Sequence, residues 1–254
     1  MRIGTVKDRL KATLAKLPAG PDPVYQCPKC KDTGLVLFTD KNGYERCCLC
    51  ECEIRRKHER ICKNAGFELA GAKTLDEYRC WNETAKIAKT TAQEYIRDFD
   101  AVRRSGKNWF LVFGQTGSGK TTLGRAIVKA LIERPKPVPA RAVKYYEMMQ
   151  RLKSKSNDTD YWDLLRVYTN CALLFIDDLL KEKVQYGDLT EADTKHLFAV
   201  LDSRYESRLP TIITSECTSG RLDALDEAMY GRMRERAYAE IIFDSKDSNY
   251  RKRA

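Results

Sequence analysis

The sequence lacks any long run of apolar residues. No stretch approaches the ~18 residues that a membrane-spanning helix requires. The first segment, MRIGTVKDRLKATLAKL, carries charges throughout instead of the apolar centre of a secretion signal. We therefore expect a cytoplasmic protein without a membrane partner. Because thiols stay reduced in the cytoplasm, clustered cysteines in this chain indicate metal ligands before disulfide bonds.

Internal repeats and long low-complexity segments are also absent, so the chain is not a repeat array. Its 254 residues suffice for one sizeable α/β domain and a small module. Acidic residues are comparatively few: the chain has 36 Asp and Glu against 46 Lys and Arg, so its formal net charge is +10. That excess favours a polyanionic partner such as nucleic acid, because basic surface releases counterions from phosphates. A merely solvated basic surface explains the charge equally well.

Cysteine, by contrast, is abundant between residues 27 and 52. Cys27 and Cys30 form a C-x-x-C pair in CPKCKDTG, and four more cysteines follow in RCCLCEC. Between them LVLF predicts a short strand and DKNG a hairpin turn, which is the layout of a small zinc ribbon with four thiolate ligands. The second pair of ligands is either Cys47 with Cys50 or Cys50 with Cys52, and the spacing does not decide between them. A metal-free reduced cluster, the alternative, would be prone to oxidation.

The strongest motif is GQTGSGKT (114–121), which matches G-x-x-x-x-G-K-[ST] in full. An apolar strand precedes it and a helix with regularly spaced apolar residues follows it, and this context identifies a P-loop. Glycines let the backbone wrap the phosphates, Lys120 would reach the β- and γ-phosphates, and Thr121 would hold Mg²⁺. The predicted nucleotide-binding residues of the loop are Gly114, Gly117, Ser118, Gly119, Lys120, Thr121 and Thr122.

Two further segments predict the rest of a nucleotide site. In CALLFIDDLL a buried strand ends in two acids, and we expect Asp177 to bind Mg²⁺ and Asp178 to orient or activate the attacking water. A second buried strand, TIIT, ends in the polar residues 214–216. Ligands of parallel sheets lie beyond the carboxyl ends of the strands, so one of these residues could sense the γ-phosphate. A plain polar loop is an equal alternative for this segment.

Strands and helices alternate after residue 105, which predicts the α/β class with a parallel sheet between layers of helices. We predict three regions along the chain. They are an N-terminal zinc-binding module (1–65), a linking helical region (66–105) and a P-loop ATPase domain (106–254). The zinc module has little core of its own, so its fold would depend on the metal.

The features occur in a combination that is more specific than the P-loop alone. CPKCKDTG is followed by C-x-C, GQTGSGKT by LLFIDDL, and RYESRLPTIITSE by GRMRER, IIF and NYR. Over roughly residues 25–252 the chain resembles the DnaC/DnaI-type replicative helicase loaders, particularly those of phages and mobile elements, and the related IstB-like AAA+ ATPases. The resemblance implies an AAA+ ATPase fold that binds ATP and Mg²⁺.

Individual roles follow from this resemblance. Arg232 matches the arginine finger that reaches the nucleotide of a neighbouring subunit, and Arg251 matches the sensor-2 arginine. The family has Asn after Thr-Ser, whereas this chain has Glu216, so the sensor-1 role would pass to Ser215 or be weakened. Hydrolysis is expected to be slow and switch-like, because Asp178 stands in place of the usual Glu.

The resemblance also favours Cys50 and Cys52 as the second pair of zinc ligands, beside Cys27 and Cys30. It implies that the zinc module docks on a hexameric, DnaB-type replicative helicase. The AAA+ domain would bind single-stranded DNA and associate with further copies of itself. The implied function is ATP-dependent loading of the helicase onto single-stranded DNA during DNA replication.

Contact with DNA requires basic residues along a groove and aromatic platforms for the bases. Lys144, Tyr145, Tyr146 and the basic run 55–57 are the candidates in the sequence. The alternative for the two tyrosines is a place in the core, where tyrosines beside a buried strand more often lie.

Two other functions compete with helicase loading. An IstB-like helper would use the same ATPase core to assist DNA transposition, but such helpers lack the CPxC…CxC head. A zinc-dependent adaptor would use its ATP site only to stabilise its fold. A small-molecule kinase would need the signature of a substrate pocket or lid, which the sequence does not contain.

Overall fold

The computed structural model describes residues 24–66, 71–183 and 187–243. The chain divides into two compact units, of which one ends at Arg56 and the other begins at Lys57. Within the described ranges, no helix is both long and apolar enough to cross a membrane. Arg251, the predicted sensor-2 residue, lies outside the described residues.

The first unit is built around an antiparallel hairpin, in which β1 is Leu35–Thr39 and β2 is Glu45–Leu49. The carboxylate of Asp40 closes the turn, because its Oδ1 accepts hydrogen bonds from two backbone N–H groups of the turn, at 2.9 and 3.0 Å. The hairpin predicted between the cysteine pairs is confirmed. Helix α1, Glu51–Asn64, starts directly after β2 and continues into the second unit.

The second unit contains a five-stranded sheet. Its strands are β3 Trp109–Gly114, β4 Ala140–Lys144, β5 Leu173–Asp177, β6 Thr211–Ser215 and β7 Ala237–Phe243. The spatial order is β4-β5-β6-β3-β7, and every neighbouring pair is parallel. Strands β3, β5 and β6 are buried at every residue, which explains why they form nearly continuous apolar runs instead of alternating ones. The predicted parallel sheet is confirmed.

Helices cover both faces of this sheet. They are α2 Glu83–Arg97, α3 Phe99–Val102, α4 Lys120–Glu133, α5 Tyr145–Ser154, α6 Tyr161–Thr169, α7 Glu191–Glu206, α8 Ser219–Leu225 and α9 Glu227–Arg236. The two-residue period of a strand separates the two faces. Along β3, Phe110 and Val112 join a hydrophobic core with α2, α3 and α4, whereas Trp109, Leu111 and Phe113 join a second core with α5 to α9.

The first arginine in the stretch RYESRLPT has a structural role. Arg204, on α7, is fully buried, and its guanidinium donates hydrogen bonds to Thr211 Oγ1 at 2.9 Å and to the carbonyl oxygens of Tyr168 at 2.8 Å and Pro210 at 2.6 Å. A buried guanidinium must have such partners, because it cannot lose its charge. These bonds fix the start of β6.

Candidate functional site

The loop between β3 and α4 has two positions that only glycine can occupy without displacing neighbours. Gly114 has a φ of 123°, and a Cβ there would lie 2.2 Å from the carbonyl oxygen of Phe243. Gly119, directly before α4, has a left-handed φ of 84°, and a Cβ there would lie 2.9 Å from the ring of Trp81. Both the backbone conformation and the close neighbours therefore explain these two glycines of the motif.

Lys120 opens α4 and is almost completely buried. Its Nζ donates to the carbonyl oxygen of Gln115 at 2.8 Å and to Ser118 Oγ at 3.4 Å, both of them neutral acceptors. Burial lowers the pKa of Lys120, and the nearby carboxylates of Glu216 and Asp178 oppose this effect. A phosphate anion at the start of α4 would favour the protonated lysine and would also meet the free N–H groups of the helix terminus. The loop is thus suited to hold phosphates.

Asp177, the last residue of β5, is 4% exposed and is held by two threonines. Its Oδ1 accepts a hydrogen bond from Thr121 Oγ1 at 2.8 Å and another from Thr214 Oγ1 at 2.6 Å. A hydroxyl and a carboxylate that touch at the edge of a phosphate loop are hard oxygen ligands of the kind that Mg²⁺ prefers. The residues present therefore fit a magnesium ion at this position.

The polar residues at the end of β6 divide between the core and the cavity. Thr214 contacts Asp177, and its Oγ1 also accepts the backbone N–H of Asp178 at 3.1 Å. Ser215 is fully buried, where its hydroxyl donates to the carbonyl oxygen of Leu179 at 2.5 Å. Thr214 thus lies beside Asp177, where a magnesium ion would fit, and Glu216 lines the cavity. Ser215 lies at neither place.

Asp178 carries its carboxylate at the edge of the same cavity. The residue has a left-handed φ of 58°, and its Oδ2 accepts a hydrogen bond from Lys181 Nζ at 2.8 Å. The same ammonium group lies 3.7 Å from Glu216 Oε1. The hydrogen bond to Asp178 is the main cause that raises the pKa of Lys181, which therefore stays protonated. The sequence analysis did not single out Lys181, because no motif marks it.

The phosphate loop forms one side of a cavity of about 190 Å³. The opposite wall comes from the segment before α2, in which Tyr78 and Trp81 have ring centres 5.9 Å apart and Trp81 stacks on Phe243 at 6.3 Å. The Tyr78 hydroxyl is buried and has no hydrogen-bond partner. An aromatic wall with an unsatisfied polar group is suited to a flat heteroaromatic ligand. Sequence reasoning assigned this segment to a linking region and missed it.

Arg232, the predicted arginine finger, lies on α9 and does not line this cavity. Its Nε is 3.1 Å from Asp202 Oδ1, and its guanidinium carbon is 5.0 Å from the centre of the Phe198 ring. The side chain is 35% exposed, so part of the guanidinium remains accessible to solvent. Among the described residues, the cavity wall contains one arginine, Arg79.

The candidate DNA-contacting tyrosines differ in exposure. Tyr145 is fully buried in the second core, whereas Tyr146 is 57% exposed and its hydroxyl accepts a hydrogen bond from Gln150. Lys144 lies 3.9 Å from the carboxylate of Glu147, and both side chains are exposed. Of the two predicted stacking platforms, only Tyr146 has a ring that a base could reach.

In the first unit the structure brings together the sulfur atoms of Cys27, Cys30, Cys50 and Cys52, all within 4.8 Å of one another. The Sγ atoms of Cys27 and Cys50 are 3.7 Å apart, and those of Cys30 and Cys52 are 3.4 Å apart. Four sulfurs at the corners of a tetrahedron, each about 2.3 Å from a central Zn²⁺, would be about 3.8 Å apart. The donor set and its spacing fit a zinc ion, and Cys47 is instead an exposed residue of β2.

The pKa values of these thiols differ widely, as expected for neighbouring groups that suit a cationic partner. A hydrogen bond from the backbone of Cys30 lowers the pKa of Cys27 to about 7, whereas burial and the neighbouring sulfurs raise the pKa of Cys52 to about 12. Four adjacent thiolates repel one another, so they cannot all ionise near neutral pH without a cation among them. A bound metal ion would supply that charge.

The sequence model of a protein family described as "IstB-like ATP binding protein" matches residues 51–254. The Phage-like element PBSX protein XkdC of Bacillus subtilis (strain 168) is 32% identical over 233 residues, which cover 87% of this chain and 84% of XkdC. Residues 1–50 make up about a fifth of the chain. The similarity to XkdC must therefore extend upstream of residue 51, into the segment outside the family match.

Two solved structures share the fold of the second unit. One is described as the crystal structure of the DnaC helicase loader, with a TM-score of 0.58 and 23% identity over 67% of this chain and 96% of that one. The other, described as DnaI, has a TM-score of 0.57 and 21% identity over 70% of this chain and 92% of that one. At these identities the likeness establishes a common AAA+ P-loop fold.

Proposed function

Since this chain belongs to the IstB-like ATP-binding proteins, we propose that it is an AAA+ ATP hydrolase that loads a replicative helicase onto single-stranded DNA. The observation that carries the proposal is the contact of Asp177 with both Thr121 and Thr214, beside a buried Lys120 that has only neutral hydrogen-bond partners. This is the arrangement that a magnesium–triphosphate complex needs, because a buried ammonium group is stabilised by an anionic partner.

Each residue has a distinct task in this proposal. The loop N–H groups and Lys120 bind the phosphates, Thr121 and Asp177 hold Mg²⁺, and Asp178 orients the attacking water. The ion, when bound, neutralises charge that develops on the phosphate oxygens. Tyr78 and Trp81 would cover the adenine base. The fit of the aromatic wall to a planar base supports ATP as the nucleotide.

Nucleotide binding and hydrolysis test this part separately. Lys120→Ala should abolish ATP binding, because the phosphates lose their buried cation. Asp178→Asn should bind ATP normally and hydrolyse it about 10²-fold more slowly or worse, because water is no longer oriented by a carboxylate. Isothermal titration and a phosphate-release assay measure the two effects. Undiminished binding by Lys120→Ala would refute the proposed site.

We further propose that hydrolysis is slow and acts as a switch. Asp178 is one methylene shorter than Glu, and Lys181 holds its carboxylate at 2.8 Å. Both features keep the carboxylate away from a water that a longer side chain could reach. Asp178→Glu should therefore raise the steady-state rate of phosphate release, whereas a rate that falls or stays level would contradict the switch.

The first unit supports a docking role. Its hairpin exposes the large apolar side chains of Leu37 and Phe38 on β1, Tyr44 in the turn and Leu49 on β2. A cysteine-held zinc would give this small unit the rigidity that an interface needs. We propose that it binds a hexameric, DnaB-type helicase. We also propose that the second unit associates with further copies of itself, so that Arg232 of one subunit reaches the nucleotide of the next.

Co-purification of the full chain with the replicative helicase of its host, in ATP and in ADP, tests the docking proposal. Leu37→Glu should weaken capture, while Lys41→Glu, an exposed change in the turn of the same hairpin, should not. Equal capture by both variants would exclude this face. Recovery of a transposase in place of the helicase would favour the alternative.

That alternative is an IstB-like ATPase that assists DNA transposition, and the name of the matching family favours it. The cysteine-rich segment argues against it, because the family match begins at Glu51 and leaves Cys27 and Cys30 outside. Helicase loading accounts for both units of the chain, whereas the transposition role accounts for the second unit alone.

A further inference from the structure

Lys181 lies in the nucleotide cavity although no recognised motif places it there. It opens a 3₁₀ turn, Lys181–Lys183, that follows β5 after a sharp reversal of the chain. The reversal depends on left-handed backbone at Asp178 (φ 58°) and Leu180 (φ 54°). Leu180 is completely buried and anchors the turn, so the lysine stem starts from a fixed point at the cavity wall.

Lys181 lies next to an unusual acid, Glu216, and compensates its negative charge. Glu216 follows β6, has a side chain that is 14% exposed, and adds a negative charge to a cavity that must accept a triphosphate. Asp178 and Glu77 contribute two further carboxylates to its lining. A phosphate group would be repelled by this cluster unless a cation lies between it and the acids. Lys73, Arg79 and Lys120 also line the cavity. Lys181, at 2.8 Å from Asp178 and 3.7 Å from Glu216, is the cation that contacts both of these acids.

We propose that Lys181 is a γ-phosphate-binding residue, held in place by Glu216. The inference rests on the proposed function, because it names a further contact of the same nucleotide site. Without nucleotide, the ammonium group is hydrogen-bonded to Asp178. When ATP is bound, the terminal phosphate takes one of its three N–H donors, and the four-carbon stem lets the group move that far. Asp178 then gives up part of its bond to Lys181 and can accept a hydrogen bond from water.

The position of Lys181 points to the γ-phosphate and not to the inner phosphates. The N–H groups at the start of α4 lie on the loop, where the inner phosphates would be cradled, and Lys120 would reach the β- and γ-phosphates from the same loop. Lys181 and Glu216 instead follow the carboxyl ends of β5 and β6, next to the pair formed by Thr121 and Asp177. That edge is where the outermost phosphate of a bound triphosphate would lie.

The proposal predicts a selective loss of ATP affinity. Lys181→Met keeps the length of the side chain and removes the charge. It should weaken binding of Mg·ATP at least about tenfold, because one charge-assisted hydrogen bond is lost, and should change the affinity for Mg·ADP less than about threefold. The matched control is Lys183→Met, in the same 3₁₀ turn but outside the cavity lining, which should change neither affinity.

Titration of the full-length wild-type protein and both variants with fluorescent ATP and ADP analogues tests the proposal. An equal loss for both nucleotides would overturn it, because the ammonium would then not distinguish the γ-phosphate. Unchanged ATP affinity with a lower rate of hydrolysis would also overturn it, since Lys181 would then only position Asp178. A wild-type protein that binds neither nucleotide would refute the proposed function itself, and this inference with it.

Discussion

The hydroxyl of Thr214 joins the ends of β5 and β6, and its removal should affect stability and nucleotide binding together. Thr214→Val is nearly isosteric, so it leaves the packing of a completely buried position intact. It removes the hydrogen bond that Thr214 donates to Asp177 Oδ1 at 2.6 Å. It also removes the acceptor for the backbone N–H of Asp178, which Thr214 Oγ1 binds at 3.1 Å.

The two losses are of different kinds. A hydrogen bond to a carboxylate contributes about 1.5–3 kcal/mol, and a buried N–H without a partner costs about 1–3 kcal/mol. Because neighbouring groups relax in part, we expect the free energy of unfolding to fall by about 2–4 kcal/mol. Asp177 would keep its hydrogen bond from Thr121, at 2.8 Å, but would lose the one from Thr214, which is the second of the two that orient its carboxylate. The loss of such an outer partner typically weakens a metal site about tenfold or more, so Mg·ATP affinity should fall by that factor.

Thr211→Val is the matched control. Thr211 lies at the other end of β6 and is equally buried. Its hydroxyl accepts a hydrogen bond from Arg204 Nε and donates one to the carbonyl oxygen of Leu209. Urea denaturation should show that both variants are destabilised, whereas isothermal titration should show that only Thr214→Val loses affinity for Mg·ATP. If Thr214→Val is as stable as the wild type, or if both variants lose nucleotide affinity equally, the assignment of Thr214 to the magnesium position is refuted.

Three further predictions concern other parts of the chain. Cys52→Ser should lose the bound zinc in metal analysis, while Cys47→Ser should keep it, because only the first sulfur belongs to the cluster. Gly114→Ala should abolish ATP binding or folding, as judged by titration and circular dichroism, since its Cβ would meet a backbone carbonyl oxygen of β7. Burial raises the pKa of Asp193, but the hydrogen bonds from Lys153 and Thr190 together outweigh it and lower that pKa. The resulting stability is present above about pH 4 and is lost as the pH falls further, so Asp193→Asn should weaken the acid dependence of unfolding.

The sheet and the phosphate loop could be predicted because their determinants are local. Buried parallel strands are apolar at nearly every residue, and the P-loop motif specifies its own strand–loop–helix context. The strand expected directly before the P-loop became β3, and the strand expected in CALLFIDDLL became β5. Nothing beyond short-range pattern was needed for these elements.

The choice among the cysteines could not be derived in the same way. Cys47 with Cys50 has the commoner zinc spacing, yet Cys47 points outward from β2, and α1 begins at Glu51. The change from strand to helix between Leu49 and Glu51 turns both Cys50 and Cys52 toward the first pair. Spacing in a sequence does not say where a strand ends, so the ligand set depended on a boundary that the pattern left open.

The aromatic wall of the cavity was missed for a different reason. Tyr78 and Trp81 lie 36 and 33 residues before Gly114, the start of the P-loop, in a segment without regular secondary structure. Their role depends on a long-range approach to Gly119 and to Phe243 at the end of β7. No periodicity or motif encodes such a contact, and only the folded chain brings the four residues together.

Lys181 and Glu216 illustrate why motif comparison alone would have misjudged the nucleotide site. Compared with the family pattern, Glu216 is unfavourable for phosphate binding, because a negatively charged carboxylate replaces a neutral amide next to the phosphates. In the structure, the parallel pairing of β5 with β6 brings the residues that follow the two strands together, so that the new acid meets a lysine at 3.7 Å. The acid and the lysine compensate each other electrostatically. A chain with Glu at 216 but no cation at 181 should therefore bind ATP poorly, although its P-loop would be intact.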